Sequence, residues 1–421
     1  MTGKRSSKWL WLALALLIAF AIAGCSDSDG SEEPQSTTTQ PEATTTTQGQ
    51  AETTTTQGGT TPSGEPVVFG ALLDGSGGAS FYSQETVAGI EIAVDEINAS
   101  GGIMGRPVEL LKEDDGNDAN QAPAKVRSLI EDGAMAILQT SGSASSLQIK
   151  SVLVEEQIPG IAATNLNGSI TKEPDESFMF ATANSAGAMV TVLQEAMSEY
   201  STAAIYTDTS PTGTGLADVY KASLEAVGIE VLTVEAVDVG ATDATAQVAR
   251  MRDGDPEAAF IAAQAPSEEA LFVRTVQDLG WDVPIFMDIT AGVPEFWELS
   301  GPAALEPVRY VDQADPDNER TQEFRSLFEE RYDRQFVSFS AMGYDAVYIL
   351  KEAIERAGTT DGPALRDALE QTDHEAHWGQ PGYRVVCSAT DHRCEGIEGM
   401  LVRRFAEDGT PGDVIYRGGE S

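Results

Sequence analysis

The sequence has few basic residues and few cysteines. Its 421 residues include 26 lysines and arginines against 67 aspartates and glutamates, a formal net charge of −41 at pH 7. Phosphate backbones and anionic lipid surfaces attract basic proteins, so this balance excludes nucleic acid as a partner. Three cysteines are too few for a small scaffold held together by disulfides. The 41 % of hydrophobic residues suffices for a large core, and the length allows two or three domains.

The common signatures of enzyme chemistry are also missing. The sequence has no G-x-x-x-x-G-K-[ST] phosphate loop, no H-E-x-x-H zinc helix and no G-x-S-x-G nucleophile elbow. The glycine-rich turn at 75–80 fails as a dinucleotide motif, because Ser80 replaces the third glycine. The acidic run at 113–118 lacks the spacing of a calcium loop. We therefore predict no catalytic residue, no cofactor and no metal. A secreted enzyme stays open as an alternative, because catalytic pairs can be distant in sequence.

All three histidines lie near the C-terminus, close to two of the cysteines. His374, His377 and His392 could form a metal site together with Cys387 and Cys394. The Cys-x₆-Cys spacing, however, differs from the C-x₂₋₄-C spacing of zinc knuckles. Outside the cytosol, two cysteines this close more often oxidise. We therefore predict a disulfide between Cys387 and Cys394.

The first 65 residues lack the pattern of a folded domain. Three basic residues precede an apolar run at 9–23, which has the length of a secretory signal peptide rather than of a membrane span. The run ends in Ile22-Ala23-Gly24-Cys25, which resembles the lipobox of bacterial lipoproteins. We predict a signal peptide at 1–24, lipidation of Cys25 and anchoring on the extracytoplasmic face of the cell membrane. Residues 25–65 are rich in threonine and are predicted to form a disordered tether.

From residue 67 onward, strand patterns alternate with helical patterns. Apolar runs such as 67–73 and 258–262 have the composition of strands covered on both faces. One block of alternating elements ends near residue 183, and a second begins directly after it. This alternation predicts an α/β fold with two doubly wound parallel-sheet lobes. Ligands of open parallel sheets bind beyond the carboxyl ends of the strands, so we expect a ligand cleft between the lobes.

Several stretches of this region carry a resemblance to a known family. They are GIEIAVDEIN at 89–98, GGIMGRP at 101–107, EDD at 113–115, IPGI at 158–161, and Asp208 with GTGLA at 213–217. They resemble the extracellular solute-binding proteins of ABC importers, in the branched-chain amino-acid receptor family with the type I periplasmic-binding fold. The resemblance implies two lobes that close by a hinge. The expected lobes are 67–184 with 313–371, and 185–312 with 372–421.

The resemblance also implies ligand contacts, which transfer residue by residue. The candidates are polar or aromatic side chains in loops: Tyr82, Ser141, Ser143, Thr164, Asn165, Thr212, Gln264, Asp288 and Thr290. Ser143 matches a serine that binds a ligand carboxylate, and it lies at the start of a predicted helix, where anions are favoured. Thr290 stands where the family has an acid for the ligand ammonium, and Asp288 could replace that acid. Thr212 stands where many members have a tyrosine.

These observations together predict a lipid-anchored solute-binding protein. We expect it to capture an amino acid, an amide or a small carboxylate and to deliver this ligand to the permease subunits of an ABC importer. No lysine or arginine lies in the expected contact loops, so a multiply charged anion is not expected. A sensory receptor of the same fold is an alternative that the sequence does not separate from a transport protein.

Overall fold

The computed structural model describes residues 61–77, 80–173, 177–263 and 265–420, apart from the side chains of residues 211 and 212. The predicted signal peptide, the lipidation site Cys25 and nearly all of the predicted tether lie outside these residues, as does Gln264. Within the described part of the chain, no helix combines the length and the apolar character that crossing a membrane requires.

The first sheet has five parallel strands in the order β2-β1-β3-β4-β5. The strands are β1 (Val67–Leu73), β2 (Val108–Asp114), β3 (Ala136–Gln139), β4 (Gly160–Ala162) and β5 (Met179–Ala181). Three helices connect them: α1 (Ser80–Ala99), α2 (Ala122–Glu131) and α3 (Ser143–Glu156). The strand order reverses between β1 and β3, which is the switch point where doubly wound sheets bind ligands.

The second sheet repeats this order in its parallel part, β7-β6-β8-β9-β10. The strands are β6 (Thr202–Asp208), β7 (Glu230–Val237), β8 (Ala258–Ala262), β9 (Ile285–Met287) and β10 (Val308–Asp312). The helices around them are α4 (Ala186–Ala196), α5 (Pro211–Ala226), α6 (Thr245–Asp253), α7 (Pro266–Asp278) and α8 (Pro294–Ser300). The corresponding switch point lies between β6 and β8.

Three further helices follow the second set of parallel strands. They are α9 (Glu319–Tyr332), α10 (Ser338–Ala357) and α11 (Gly362–Leu369). Helix α10 packs on α1 of the first sheet, and two glycines allow the close approach. A Cβ at Gly89 would lie 1.8 Å from the main-chain oxygen of Ser340, and one at Gly343 would lie 2.1 Å from that of Thr86.

The C-terminal segment forms two antiparallel pairs. Strands β11 (Asp373–Glu375) and β12 (Arg384–Val386) form a small sheet of their own. Strands β13 (Leu401–Phe405) and β14 (Pro411–Arg417) extend the second sheet beside β10, and both pairings are antiparallel. The α/β fold with parallel sheets is therefore confirmed, and the second sheet is mixed at this edge. A short turn at 406–410 joins β13 to β14, whereas α9, α10 and α11 lie between β10 and β13 in the chain.

Candidate ligand-binding site

A cavity of about 300 Å³ lies where the first turn of α1 faces the carboxyl ends of β6 and β8. Both switch points of the two sheets therefore adjoin it, because α1 follows β1 and α7 follows β8. The volume suits a small organic molecule. The residues that line the cavity are Phe81, Tyr82, Asp208, Val239, Ala265, Pro266, Glu268, Val293 and Glu295.

Two aromatic rings of α1 form one wall of the cavity. The rings of Phe81 and Tyr82 pack edge to face with centroids 5.6 Å apart. Tyr82 packs in the same way against Phe339 of α10, at 5.0 Å. Both α1 rings also contact the hydrophobic cluster of the second sheet. Edge-to-face packing favours a defined ring orientation, so this wall is held in place from both sheets.

Carboxylates form a second part of the cavity's lining. Asp208 and Glu268 are 1 % and 3 % exposed, and Glu295 lies exposed at the rim. Asp208 Oδ1 accepts a hydrogen bond of 2.7 Å from the main-chain N–H of Ser210. Glu268 Oε1 accepts one of 2.7 Å from the N–H of Gly240. These main-chain donors orient the two buried carboxylates.

A second acidic layer lies behind this wall. The Thr290 hydroxyl donates to Glu269 Oε1 at 2.6 Å, and the Thr290 N–H donates to Asp288 Oδ1 at 2.8 Å. Burial, the charge of Asp288 and the charges of Glu268 and Asp208 raise the pKa of Glu269 well above its ordinary value, against the hydrogen bond from Thr290. Burial also raises the pKa of Asp288. Burial therefore disfavours the ionised form of both carboxyl groups, more strongly for Glu269.

The buried tyrosines show the sign of the local potential. Burial raises the pKa of Tyr82, Tyr206 and Tyr220, and acidic charges raise each of them further. The acids that act are Glu269, Asp288 and Glu295 on Tyr82, Glu268 and Asp208 on Tyr206, and Asp288 and Glu269 on Tyr220. No basic group of the described chain acts on these three phenols, so the potential around the cavity is negative.

On the side of the first sheet, two of the predicted contacts join a network of loop hydrogen bonds. Ser141 Oγ donates to Asp115 Oδ1 at 2.6 Å, and Asn165 Nδ2 donates to the main-chain oxygen of Ser141 at 2.7 Å. Arg393 Nη2 donates to the main-chain oxygen of Asn165 at 2.6 Å. Ser141 and Asn165 are buried, and they hold the loops after β3 and β4 together.

Comparison with known proteins places this arrangement in a family. A family model described as periplasmic binding protein matches residues 66–410. This chain belongs to the periplasmic binding protein family. Its fold is that of type I periplasmic binding proteins, as in the structure from Bordetella pertussis, which has a TM-score of 0.69 at 20 % identity and covers 84 % of this chain and 100 % of that one.

Relatives of this binding protein are named for branched-chain amino acids. The chain is 25 % identical over 311 residues to the Leu/Ile/Val-binding protein BraC3 of Rhizobium johnstonii, covering 72 % of this chain and 83 % of that protein. The branched-chain amino acid transporter substrate binding protein LivJ of Streptococcus pneumoniae, solved with isoleucine, has a TM-score of 0.69 at 19 % identity. That alignment covers 84 % of this chain and 100 % of that one, and it shows a shared fold.

The predicted contacts of the binding protein fall into three groups. Among those whose side chains the structure describes, Tyr82 lines the cavity, while Asp288 and Thr290 lie in the acidic layer behind it. The loop residues on the first sheet's side do not line it: Ser141, Ser143, Thr164 and Asn165. Two candidates fall outside the described atoms, Gln264 and the side chain of Thr212. The roles assigned to all nine residues stay predictions.

The acidic wall is the feature that sequence reasoning missed. Glu268 and Glu269 lie in the first turn of α7, where the helix dipole favours acids. Helix α7 begins at Pro266, directly beyond the carboxyl end of β8, and both acids are buried there. The signal available was a pair of acids within a few residues of a predicted buried strand, which is where a parallel sheet places its ligand site.

Three possible metal ligands come together elsewhere in the described chain: Asp345, His374 and His377. His374 Nε2 lies 3.2 Å and His377 Nδ1 2.5 Å from Asp345 Oδ1. Burial alone would lower the pKa of His374, but hydrogen bonds to Asp345 and Glu352 raise it to about 9. Arg320 Nη2 lies 3.2 Å from His377 Nε2. A protonated imidazole and a nearby guanidinium oppose a bound cation, so the cluster acts as a charged connection between α10 and β11.

Cys387 and Cys394 form the disulfide expected from their spacing. The loop that the disulfide closes makes two contacts, one to the loop after β4 and one to strand β5. Arg393 of the loop reaches the main chain at Asn165, and a carbonyl of the loop accepts a hydrogen bond of 2.8 Å from the N–H of Ala181 in β5. The disulfide loop therefore buttresses the loop that follows β4.

Proposed function

We propose that this chain is the extracellular solute-binding protein of an ABC importer, which captures a small polar organic solute and delivers it to the permease. The observation that carries the proposal is the cavity between α1 of the first sheet and the strand ends of the second sheet. A ligand there contacts both sheets at once, so its binding energy can favour a closed arrangement. The amino-acid-binding names of the relatives support a solute of this size class.

The proposal includes two lobes that close on the ligand. We propose that 67–184 with 313–371 forms one lobe and that 185–312 with 372–421 forms the other. The chain passes from the first sheet to the second after β5 and leaves the parallel part of the second sheet after β10. Hinge residues in such connections absorb the change of backbone angles when lobes close.

Ligand capture is tested by native mass spectrometry of the full chain after incubation with a small-molecule extract. We expect one small molecule per chain, and we expect Tyr82→Ala to lose it because the aromatic wall is removed. Tyr416→Ala, in β14 at the far edge of the second sheet, serves as the control and should keep the ligand. A chain that captures nothing, or equal capture by both variants, would count against the cavity as the binding site.

Anchoring is a separate part of the proposal. We propose that the signal peptide is removed before Cys25 and that lipid chains on this cysteine hold the protein on the extracytoplasmic face of the membrane. The mass of the protein from the membrane fraction should then match a chain beginning at Cys25 with lipid attached. Cys25→Ala should release the protein from that fraction, and an unmodified Cys25 would contradict the anchor.

A further inference from the structure

We propose that this protein has a second ligand site, which binds a doubly charged oxyanion of the phosphate monoester class on an aromatic or apolar body. The site is a cavity of about 520 Å³ at the amino ends of β9 and β10. The solute cavity adjoins the carboxyl ends of β6 and β8, so the two sites lie at opposite ends of the strands of the second sheet. Two opposed arginines and an apolar lining carry the inference, which is independent of the identity of the solute.

The two arginines lie opposite each other on neighbouring strands. In the antiparallel pairing of β10 with β13, Tyr310 lies opposite Arg403. The next position of the same register places Arg309 opposite Arg404, and both line the cavity. Like charges directly opposite each other destabilise a sheet. Burial and the charge of Arg404 lower the pKa of Arg309, so the second arginine acts on the first in the folded protein.

The described chain gives these two arginines no carboxylate partner. By contrast, Arg403 and Arg417 on β13 and β14 each form an ion pair with a carboxylate. Arg309 Nη1 donates to the main-chain oxygen of Pro307 at 2.6 Å, which leaves its charge unbalanced. Arg404 Nε is buried and has no hydrogen-bond partner in the described chain. Because buried N–H groups are nearly always paired in native proteins, this nitrogen is a donor for a ligand oxygen.

The acids around the cavity do not neutralise the pair. Those that line the cavity or act on Arg309 are all exposed to solvent: Glu199, Asp282 and Glu306. Water and salt screen exposed charges, whereas Arg309 and Arg404 are half-buried. At the end of α7, the N–H groups of Gly280 and Trp281 satisfy main-chain oxygens of the last helical turn. The cavity therefore favours an anion as its ligand.

Two guanidinium groups side by side suit a doubly charged oxyanion. Each guanidinium can donate two parallel hydrogen bonds to a carboxylate or a phosphate. A phosphate monoester carries about −1.5 to −2 charges at pH 7 and three strong acceptor oxygens. It can therefore accept from Arg309 and Arg404 at once and balance both charges. A monocarboxylate balances only one of them.

The rest of the lining suits an aromatic or apolar body on the ligand. Trp281 borders the cavity, is half-buried and packs on the hydrophobic cluster of the second sheet. The other apolar lining residues include Val276, Val283, Pro284 and Pro302. The volume lies in the range of cavities that bind small organic molecules. Inorganic phosphate would leave this apolar surface in contact with water, so we expect an organic phosphate to bind more tightly.

The test is isothermal titration calorimetry of the full chain with phenyl phosphate, inorganic phosphate, benzoate and benzylammonium. Arg404→Gln removes one charge of the pair, and Arg404→Lys keeps the charge without the guanidinium fork. Trp281→Leu removes the aromatic surface and keeps an apolar side chain. Arg250→Gln is the matched control, because this exposed arginine of α6 pairs with Glu235 of β7 at the other edge of the second sheet.

We expect phenyl phosphate to bind most tightly, with one molecule per chain. Arg404→Gln should weaken this binding at least tenfold, Arg404→Lys should weaken it less, and Arg250→Gln should leave it unchanged. Trp281→Leu should weaken phenyl phosphate more than inorganic phosphate. The inference would be overturned if phenyl phosphate did not bind, if another probe bound as tightly, or if Arg404→Gln left its binding unchanged.

The same variant separates this site from the solute cavity. Arg404 does not line that cavity, so Arg404→Gln should still retain the captured solute in native mass spectrometry. An overturned inference therefore leaves the proposed capture of a solute intact. Loss of the solute together with phenyl phosphate binding would show that there is no separate second site.

Discussion

Glu269 is the residue at which the acidic layer most directly affects stability. Its side chain is 1 % exposed, and burial together with the charge of Asp288 raises its pKa. Such a carboxyl group stabilises the folded protein below its unfolded pKa of about 4.3, and this contribution is lost as the pH rises through the folded value. We therefore expect Glu269→Gln to raise the free energy of unfolding at pH 8 and to change it little at pH 4.

Urea unfolding at the two pH values measures this difference. The amide oxygen of the variant can still accept the Thr290 hydroxyl, so the hydrogen bond is conserved while the charge is removed. Glu131→Gln should change stability at neither pH, since that residue is exposed. A change of equal size at both pH values would show that folding does not raise the pKa of Glu269.

His374 is expected to make the free energy of unfolding depend on pH in the range between 6.5 and 9. Hydrogen bonds to Asp345 and Glu352 outweigh its burial and raise its pKa to about 9, from 6.5. The resulting stabilisation is complete below pH 6.5 and is lost as the pH rises through about 9. The shift corresponds to about 3 kcal/mol of unfolding free energy. We expect a decline of this order between pH 6.5 and 9.5, absent in His374→Gln, and a flat profile would contradict the pairing.

At the scale of elements, the contact between α1 and α10 depends on two glycines. A Cβ at Gly343 would lie 2.1 Å from the main-chain oxygen of Thr86, which cannot move without displacing α1. We expect Gly343→Ala to lower the free energy of unfolding by about 1–3 kcal/mol, as overpacking does. Gly215→Ala in α5 meets no atom within 4 Å and should be neutral or stabilising by about 0.5–1 kcal/mol. Chemical denaturation measures the free energy of unfolding of both variants. Equal stabilities of Gly343→Ala and Gly215→Ala would refute the close packing of α1 and α10.

The disulfide loop is a second element with a measurable effect. The closed loop is short, so the disulfide contributes about 2 kcal/mol on the loop-entropy model. It also holds Arg393 against the main chain at Asn165. We expect the double variant Cys387→Ser and Cys394→Ser to unfold at a lower temperature and to exchange the amide hydrogens of the loop after β4 faster. Unchanged hydrogen exchange at that loop would show that the disulfide does not buttress it.

The elements themselves were largely predictable from the sequence, because the two blocks of buried strands have continuous apolar runs. The strands of the antiparallel edge were harder. Strand β14 (Pro411–Arg417) lies at the sheet edge and alternates exposed and half-buried residues, so its apolar signal is weak. Strand β10 (Val308–Asp312) and helix α8 (Pro294–Ser300) were missed because each is short and lies in a run without clear periodicity.

The candidate site was predictable only in part. Tyr82 came from the resemblance to the branched-chain amino-acid receptors, and it lines the cavity. The burial of Glu268 and Glu269 depends on how α7 packs beyond β8, and a sequence pattern does not report packing of that kind. Acids in a first helical turn are usually solvated, so their burial beside Asp208 is a tertiary effect.

At the scale of the whole molecule, one topology occurs twice and both copies contribute to one cavity. The order 2-1-3-4-5 holds for β1–β5 and for β6–β10, and each switch point faces the cavity. The chain also carries a net charge of −41, and the cavity lies within this negative field. Such a field raises the local concentration of cations and repels anions, and the effect falls with salt.

Capture of a solute in this cavity is the central claim, and thermal unfolding of the full chain against amines, amino acids, amides and small carboxylates tests it most directly. A ligand at 100 times its Kd adds about 2.7 kcal/mol of stability. At an unfolding entropy of about 2.1 cal/mol/K per residue over roughly 350 folded residues, that raises Tm by about 4 °C. We predict such a rise for one chemical class, and its loss in Tyr82→Ala. No rise for any class, with no small molecule retained in native mass spectrometry, would contradict the account.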